Sequence, residues 1–344
     1  MQVRPARAPR CCGLTPGGGR ASVATREPFP AMIIVFGSIN IDLVTRVDAL
    51  PKPGETVAAP GYAVVPGGKG ANQALAARRA GAGVVLAGAV GRDGFADLAL
   101  DMLAADGVDL TRIVRADTPT GAAFITVDAE GQNQIVVGSG ANAFARAASL
   151  DGLATKPGDI LLLQWEVPEA EICAAARWAK ALGLRVMLNR APAGPVTPEL
   201  MAMTDIVVVN EHEVMALAEG HGVDGADPEA VASGLSARYG NAVFVTLGAE
   251  GAMGWADGIR HAAPALPVEV IDTTAAGDTF CGAFAAALDR RRGYETAIEF
   301  ASAAGSLACT IFGAQPSIPT LATIEPAAAI LADGRNPDHR RTPP

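Results

Sequence analysis

Asp278 is the residue on which chemistry can most directly be hung. It stands in the stretch Val270-Ile271-Asp272-Thr273-Thr274-Ala275-Ala276-Gly277-Asp278-Thr279-Phe280. The alternating Val268, Val270 and Asp272 read as the end of a strand. Small residues follow, and 280–288 reads as a small-residue helix that packs closely on its neighbours. A strand, a small-residue turn and a helix make an anion site, because first-turn N–H groups lack partners and the helix dipole favours negative charge there. A carboxylate beside a bound anion would repel it, so Asp278 needs a task. The task it suits is accepting a proton from a hydroxyl that attacks a phosphoryl group. Asp also serves first turns for capping and dipole reasons alone, and this stretch by itself leaves both readings open.

Other stretches carry polar groups at the ends of apolar runs. In Pro66-Gly67-Gly68-Lys69-Gly70-Ala71-Asn72-Gln73-Ala74 a glycine turn enters a helix, with Lys69 and Asn72 as donors. It is not a Walker A loop, since Gly70 follows Lys69 where Ser or Thr is needed. Asn40 and Asp42 follow the first apolar run and share a side if the chain stays extended; an amide and a carboxylate there suit polyol hydroxyls, or an Asx turn. Asn210 and Glu213 have capping-box spacing, and also suit a nucleotide phosphate and the water shell of a magnesium ion. Thr246-Leu247-Gly248-Ala249-Glu250-Gly251 would let backbone wrap a nucleotide, or would simply turn a hairpin. Glu166 ends another apolar run. Gly138-Ser139-Gly140-Ala141-Asn142-Ala143 fits a relaxed dinucleotide pattern but lacks a clean strand–helix–strand unit around it.

These residues need a frame. Short β-branched runs at 33–36, 83–88, 160–163, 184–188, 205–209 and 242–247 predict strands, and 70–80, 94–105, 168–182, 211–219 and 228–239 predict helices. Runs apolar on both faces belong to a covered parallel sheet. The alternation predicts a doubly wound, mostly parallel α/β domain over 32–330. Two extended regions, 55–65 and 121–137, break it, the second with a turn near 128–131. They predict a small β-sheet lid, with strands within about 43–66 and 119–138.

The chain has 344 residues and a net charge of −9. Its first 31 residues hold five arginines against Glu27, which leaves −13 on the rest. An acidic body argues against nucleic acid or an anionic membrane as partner, and no apolar run is long enough to span a bilayer. The five cysteines show no metal or disulfide spacing, which fits a reducing, cytoplasmic setting. Residues 1–31 read as a disordered tail or an over-long start, and 331–344 as a flexible tail.

Taken in order, Gly37-Ser38-Ile39-Asn40-Ile41-Asp42, the Gly67–Gln73 block, Asn210 with Glu213, Thr246-Leu247-Gly248, the Asp272–Phe280 block and Gly313-Ala314-Gln315-Pro316-Ser317 resemble the ribokinase family of carbohydrate kinases. The resemblance runs from about residue 32 to 319. It implies ATP-dependent phosphorylation of the 5-hydroxyl of D-ribose. It makes Asp278 the catalytic base, with Ala275, Ala276, Gly277 and Asp278 supplying an anion hole. Asn40, Asp42, Gly68, Lys69, Asn72 and Glu166 would contact the sugar. Asn210, the loop of Thr246, Leu247, Gly248, Ala249, Glu250 and Gly251, together with Gly277 and Ser302, would contact ATP. The same resemblance implies Mg²⁺ with ATP, near Glu213 through water. It also implies K⁺ as activator near Asp272, Thr274, Ala308, Ile311, Gly313 and Ser317, and a homodimer through the lid. Arg190 departs from an expected proline, and Ser302 from a regular adenine contact. Alternatives are a kinase of another furanose or a nucleoside, a non-catalytic sugar-binding regulator, and a nicotinamide enzyme using the Gly138 motif.

Overall fold

Ile33, Ile34, Val35 and Phe36 are all fully buried, so the first strand must be covered on both faces. Alternate side chains enter different cores: Ile33 and Val35 one, Ile34 and Phe36 the other. The protein is described by a computed structural model over residues 32–333; the expected tail at 1–31 and all but three residues of that at 331–344 lie outside the described residues.

The chain enters through β1 (Met32–Phe36), leaves for β2 (Asn40–Arg46) and β3 (Tyr62–Gly67), and returns through α1 (Lys69–Arg79) to β4 (Gly83–Val90). Helix α2 (Gly94–Ala105) leads to β5 (Asp109–Arg115), followed by the hairpin β6 (Gly121–Val127) and β7 (Asn133–Gly138). Alternation resumes with β8 (Ile160–Leu163), α3 (Glu169–Ala181), β9 (Arg185–Asn189), α4 (Pro198–Met203), β10 (Ile206–Asn210), α5 (Glu211–His221), α6 (Pro228–Tyr239) and β11 (Ala242–Thr246). Strands β12 (Ala252–Ala256) and β13 (Ile259–Ala263) precede α7 (Ala276–Asp289), α8 (Tyr294–Ala308), α9 (Ala314–Ser317) and α10 (Leu321–Asp333).

The main sheet has nine strands in the order β13-β12-β11-β10-β9-β8-β1-β4-β5. It is parallel from β11 to β5, with β12 and β13 added antiparallel. Buried residues of α1, α2, α7, α8 and α10 share one core, and those of α3, α4, α5 and α6 share the other. This is the doubly wound arrangement of helices on both faces. The second sheet has four strands in the order β3-β2-β6-β7 and stands off the carboxyl end of β1. Its strand β7 is exposed throughout.

Three expectations need correction. No strand forms at 268–272; Val270 and Ile271 are about 60 % exposed. Val268 and Val270 line a cavity instead, so their alternation serves a pocket wall and not a sheet. The extended region at 55–65 is strand only from Tyr62 onward. Residues 331–333 are the last turn of α10 rather than tail.

Candidate functional site

Helix α7 starts from an unusual residue. Its N-cap, Ala275, has φ +61° and ψ 11°, a left-handed setting that costs a non-glycine residue about 1–2 kcal/mol. The Ala276 N–H donates to the Thr273 carbonyl at 3.2 Å. That leaves Gly277 and Asp278 as the first-turn donors for which a helix provides no acceptor. Both line a cavity of about 230 Å³, together with Lys69, Asn210, Glu213 and Thr246.

Asp278 is only 7 % exposed. Asn72 Nδ2 donates to its Oδ2 and Gln73 Nε2 to its Oδ1, each at 2.9 Å. Two successive residues of α1 can reach it because α1 and α7 nearly touch. A Cβ added to Gly282, one turn beyond Asp278, would lie 2.6 Å from the Ala76 Cβ and 2.5 Å from the Gln73 carbonyl oxygen.

An acidic cluster surrounds Lys69. Burial alone would lower the Lys69 pKa, but the charges of Asp278, Glu166 and Glu213 outweigh it and the net shift is upward. Asp42 has its pKa pushed up to about 7, first by burial and then by Glu166 and Asp278, with Lys69 opposing. Glu166 Oε2 accepts from Ser38 Oγ at 2.6 Å and from the Lys69 N–H at 3.2 Å, so it also caps α1. Gly68 joins β3 to α1 at φ +91°, and a Cβ there would lie 2.6 Å from the Asn40 nitrogen; only glycine fits. Asn40 Oδ1 accepts from Asn142 Nδ2 at 2.6 Å, and Asn142 Oδ1 accepts the Ile39 N–H at 2.9 Å.

A second cavity of about 510 Å³ shares Thr246, Thr273 and Gly277 with the first. Its walls are small or apolar residues, among them Gly248, Ala249, Gly251, Leu266, Val268 and Phe280. Ser302 also lines it; its Oγ is buried and has no hydrogen-bond partner among the described residues.

Beside α7, two loops are tied together at Asp272. Asp272 Oδ2 accepts the Gly313 N–H at 2.9 Å, and Oδ1 accepts Thr274 N–H and Oγ1 at 2.9 and 2.6 Å. Burial would raise the Asp272 pKa, but these bonds, with Arg46 nearby, turn the net shift downward and keep it ionised. The Cys309 carbonyl receives the Ile271 and Asp272 N–H groups.

A sequence profile described as pfkB family carbohydrate kinase matches residues 30–321. The chain belongs to the pfkB family of carbohydrate kinases. Among pfkB kinases, it is 39 % identical over 297 residues to the ribokinase of Bacillus subtilis, covering 85 % of this chain and 98 % of that one. The solved ribokinase of Thermotoga maritima superposes with a TM-score of 0.80 at 36 % identity, covering 87 % of this chain and 99 % of that one. The Arabidopsis thaliana ribokinase complexed with ribose and ATP has a TM-score of 0.76 at 29 % identity, with the same coverage of 87 % and 99 %.

In this pfkB kinase the residues singled out by sequence divide into three groups. Asn40, Asp42, Gly68, Lys69, Asn72, Glu166 and Asp278 meet around the start of α1. Asn210, Thr246, Gly248, Ala249, Gly251, Gly277 and Ser302 line one or both cavities. Leu247 packs against a hydrophobic core instead, and Glu250 is exposed and lines neither cavity. Of the Asp272 group, Thr274 and Gly313 bond to it directly. Ala308 is buried, Ile311 is half exposed, and Ser317 Oγ donates to the Ala314 carbonyl.

Asn210 and Glu213 form a full capping box at α5, with bonds of 2.8 and 2.9 Å, while Glu213 also lines the first cavity. Arg190 closes its own turn. Its guanidinium donates to the Pro192 and Pro195 carbonyls and lies 3.9 Å from the Trp165 ring centroid, and burial brings its pKa down to about 10. The dinucleotide reading fails on geometry. Gly138 ends strand β7, and 140–144 is a short 3₁₀ turn with no helix to cradle a pyrophosphate. Sequence reasoning gave Asn142 no role of its own and passed over Gln164 and Asn189. For Gln164 and Asn189 the only signal was a polar residue at the end of a buried apolar strand.

Proposed function

We propose that this chain transfers the γ-phosphoryl group of ATP to the 5-hydroxyl of D-ribose, giving ribose 5-phosphate and ADP. The observation that carries the proposal is the buried Asp278 carboxylate. It sits in the first turn of α7, between an anion-receptive cavity and the polar cluster at Asn40, Asp42 and Lys69. The ribokinases to which the chain is similar, one of them seen with ribose and ATP, fit that substrate pair.

Asp278 takes the proton of the attacking hydroxyl as the loose transition state breaks down. The N–H groups of Gly277 and Asp278 receive the charge that spreads over the transferred oxygens. Asn40, Asp42, Lys69, Asn72 and Glu166 orient the sugar hydroxyls, and the small sheet excludes water that would compete as acceptor. The second cavity takes the base and ribose of ATP, with Ser302 as its polar contact.

Glu213, a carboxylate lining the phosphate-sized cavity, suits the water shell of a magnesium ion, which would neutralise phosphate charge when bound. Asp272, kept ionised beside two docked loops with carbonyls, offers the hard oxygen donors that suit a potassium ion. That ion would stiffen the loop leading to α7. The small sheet exposes the cross-strand pair Phe124 and Val136 on one face and Ile135 and Val137 on the other, apolar surface that suits a homodimer contact. Among the described residues no helix is long and apolar enough to cross a membrane, and a cytoplasmic enzyme is the reading that fits.

A phosphoryl-acceptor screen with ATP over ribose, deoxyribose, fructose and nucleosides tests the substrate. Ribose should give the highest kcat/KM, and a clear preference for another acceptor would replace it. Asp278→Ala should lower kcat by roughly 10²–10⁴ with ribose affinity far less changed. Near-parent turnover would remove Asp278 from the role of base.

A further inference from the structure

Behind Asp278 lies a chain of buried amides. Gln73 Nε2 donates to Asp278 Oδ1 and to Asn189 Oδ1, both at 2.9 Å. Gln73 Oε1 accepts from Gln164 Nε2 at 2.7 Å. Asn189 Nδ2 donates in turn to the Val208 carbonyl at 3.0 Å. Gln73 and Gln164 are fully buried, and Asn189 is 7 % exposed.

The direction of this chain is fixed from its Val208 end, since the buried Gln164 Oε1 has no hydrogen-bond partner among the described residues. The Val208 carbonyl can only accept, so Asn189 turns its NH₂ there and its oxygen toward Gln73. Gln73 therefore turns its NH₂ to Asn189 and its oxygen to Gln164, which answers with its NH₂. A reversed Gln73 amide would set its oxygen against two acceptors, Asp278 Oδ1 and Asn189 Oδ1, and its NH₂ against a donor. Packing does not ask for this arrangement. A buried amide hydrogen bond contributes only about 1 kcal/mol net, whereas an unpaired amide costs more, and aliphatic side chains would fill the same space without that risk. What the polar chain does supply is a donor aimed at one oxygen of Asp278 from a direction that cannot drift.

We propose that Gln73 is a positioning residue: its amide, aimed by Asn189 and backed by Gln164, fixes the rotation of the Asp278 carboxylate for proton acceptance. A carboxylate held by Asn72 alone could still swing about its last side-chain bond. With both oxygens bonded it cannot. A base must lie within hydrogen-bond reach of its proton, and a misplacement of about 1 Å can cost about 100-fold in rate.

The inference rests on Asp278 being the base, so its test carries that variant as well. Gln73→Met keeps length and removes the donor. It should lower kcat by about 10- to 100-fold, while KM for ribose and for ATP stays within about threefold. In an Asp278→Ala background the same substitution should change the residual rate by less than about twofold, because the two residues act as one unit. A Gln73→Met kcat within about twofold of the parent overturns the proposal, as does an equal loss in the Asp278→Ala background. If Gln73→Met does not fold, Gln73→Leu decides. It removes the same donor with a shorter side chain and leaves Asp278 in place, and a kcat loss with ribose affinity retained supports the proposal, while an unchanged kcat refutes it. Should Asp278→Ala itself turn over like the parent, the base reading falls, and the two failures are thereby told apart.

Discussion

The two ends of the cleft are built from different material. Around the start of α1, the proposed sugar end consists of side chains that hold one another: Asn142 holds Asn40, Ser38 holds Glu166, and Asn72 and Gln73 hold Asp278. Around the start of α7, the proposed nucleotide end consists of backbone and space. There the cavity walls are mostly small or apolar residues, and Ser302 Oγ has no partner among the described residues. The first end is preorganised and intolerant; the second is a shaped gap. A hydroxyl-rich sugar needs directed polar groups, because discrimination comes from buried donors and acceptors left unpaired by the wrong ligand. A nucleotide needs mainly room, apolar contact and first-turn N–H groups.

Two glycines put that contrast to the test. A Cβ at Gly67 would collide with the Asp42 carboxylate, whose Cγ would be 2.7 Å away. Gly67→Ala should therefore displace Asp42 and raise KM for ribose by about tenfold or more, with KM for ATP unchanged in initial-rate assays. At Gly277 a Cβ would meet nothing within 4 Å. Gly277→Ala should leave the fold intact and even stabilise it by about 0.5–1 kcal/mol, since alanine suits a helix better. Its added methyl group would meet the nucleotide instead, lowering kcat/KM for ATP by up to about tenfold. Thermal melts together with kinetics read both halves. A Gly277→Ala protein that loses stability would show that this end is packed rather than vacant.

A further expected effect concerns charge crowding. The Asp42 carboxyl titrates at about 7 in the folded protein against 3.8 as a free group. A raised carboxyl binds its proton more tightly when folded, so its contribution to stability is full below about pH 4 and lost as pH rises through about 7. Glu213, also raised, adds to that slope, and the lowered His221 and His261 oppose it. The difference between parent and Asp42→Asn isolates the one group. In ligand-free melts at pH 5 and pH 8, Asp42→Asn should gain stability relative to the parent as pH rises. A difference that does not vary with pH would mean that Asp42 is not crowded.

This contrast also decides what could be read in the sequence. Strands such as Ile206–Asn210 announce themselves by being apolar on both faces, and Asn210 with Glu213 announces a cap within four residues. The polar ends of strands were legible for the same local reason. Gln73 and Asp278, by contrast, are 205 residues apart, and no local pattern says that one will aim the other. Asn142 sat in a glycine-rich stretch that invited a dinucleotide reading, while its real partners, Ile39 and Asn40, are over 100 residues away. The alternation at Val268 and Val270 misled because a pocket wall and a sheet face make the same demand for apolar side chains. Leu247 and Glu250 belong to a loop whose backbone, not whose every side chain, borders the cavity.

A single residue, Gly68, separates edge strand β3 of the small sheet from helix α1, which holds Lys69, Asn72 and Gln73 on its first turn and a half. Whatever covers the proposed sugar site is therefore one residue away in the chain from the three side chains nearest Asp278. On the proposed reading, a substitution at this one-residue joint should disturb sugar cover and proton acceptor together.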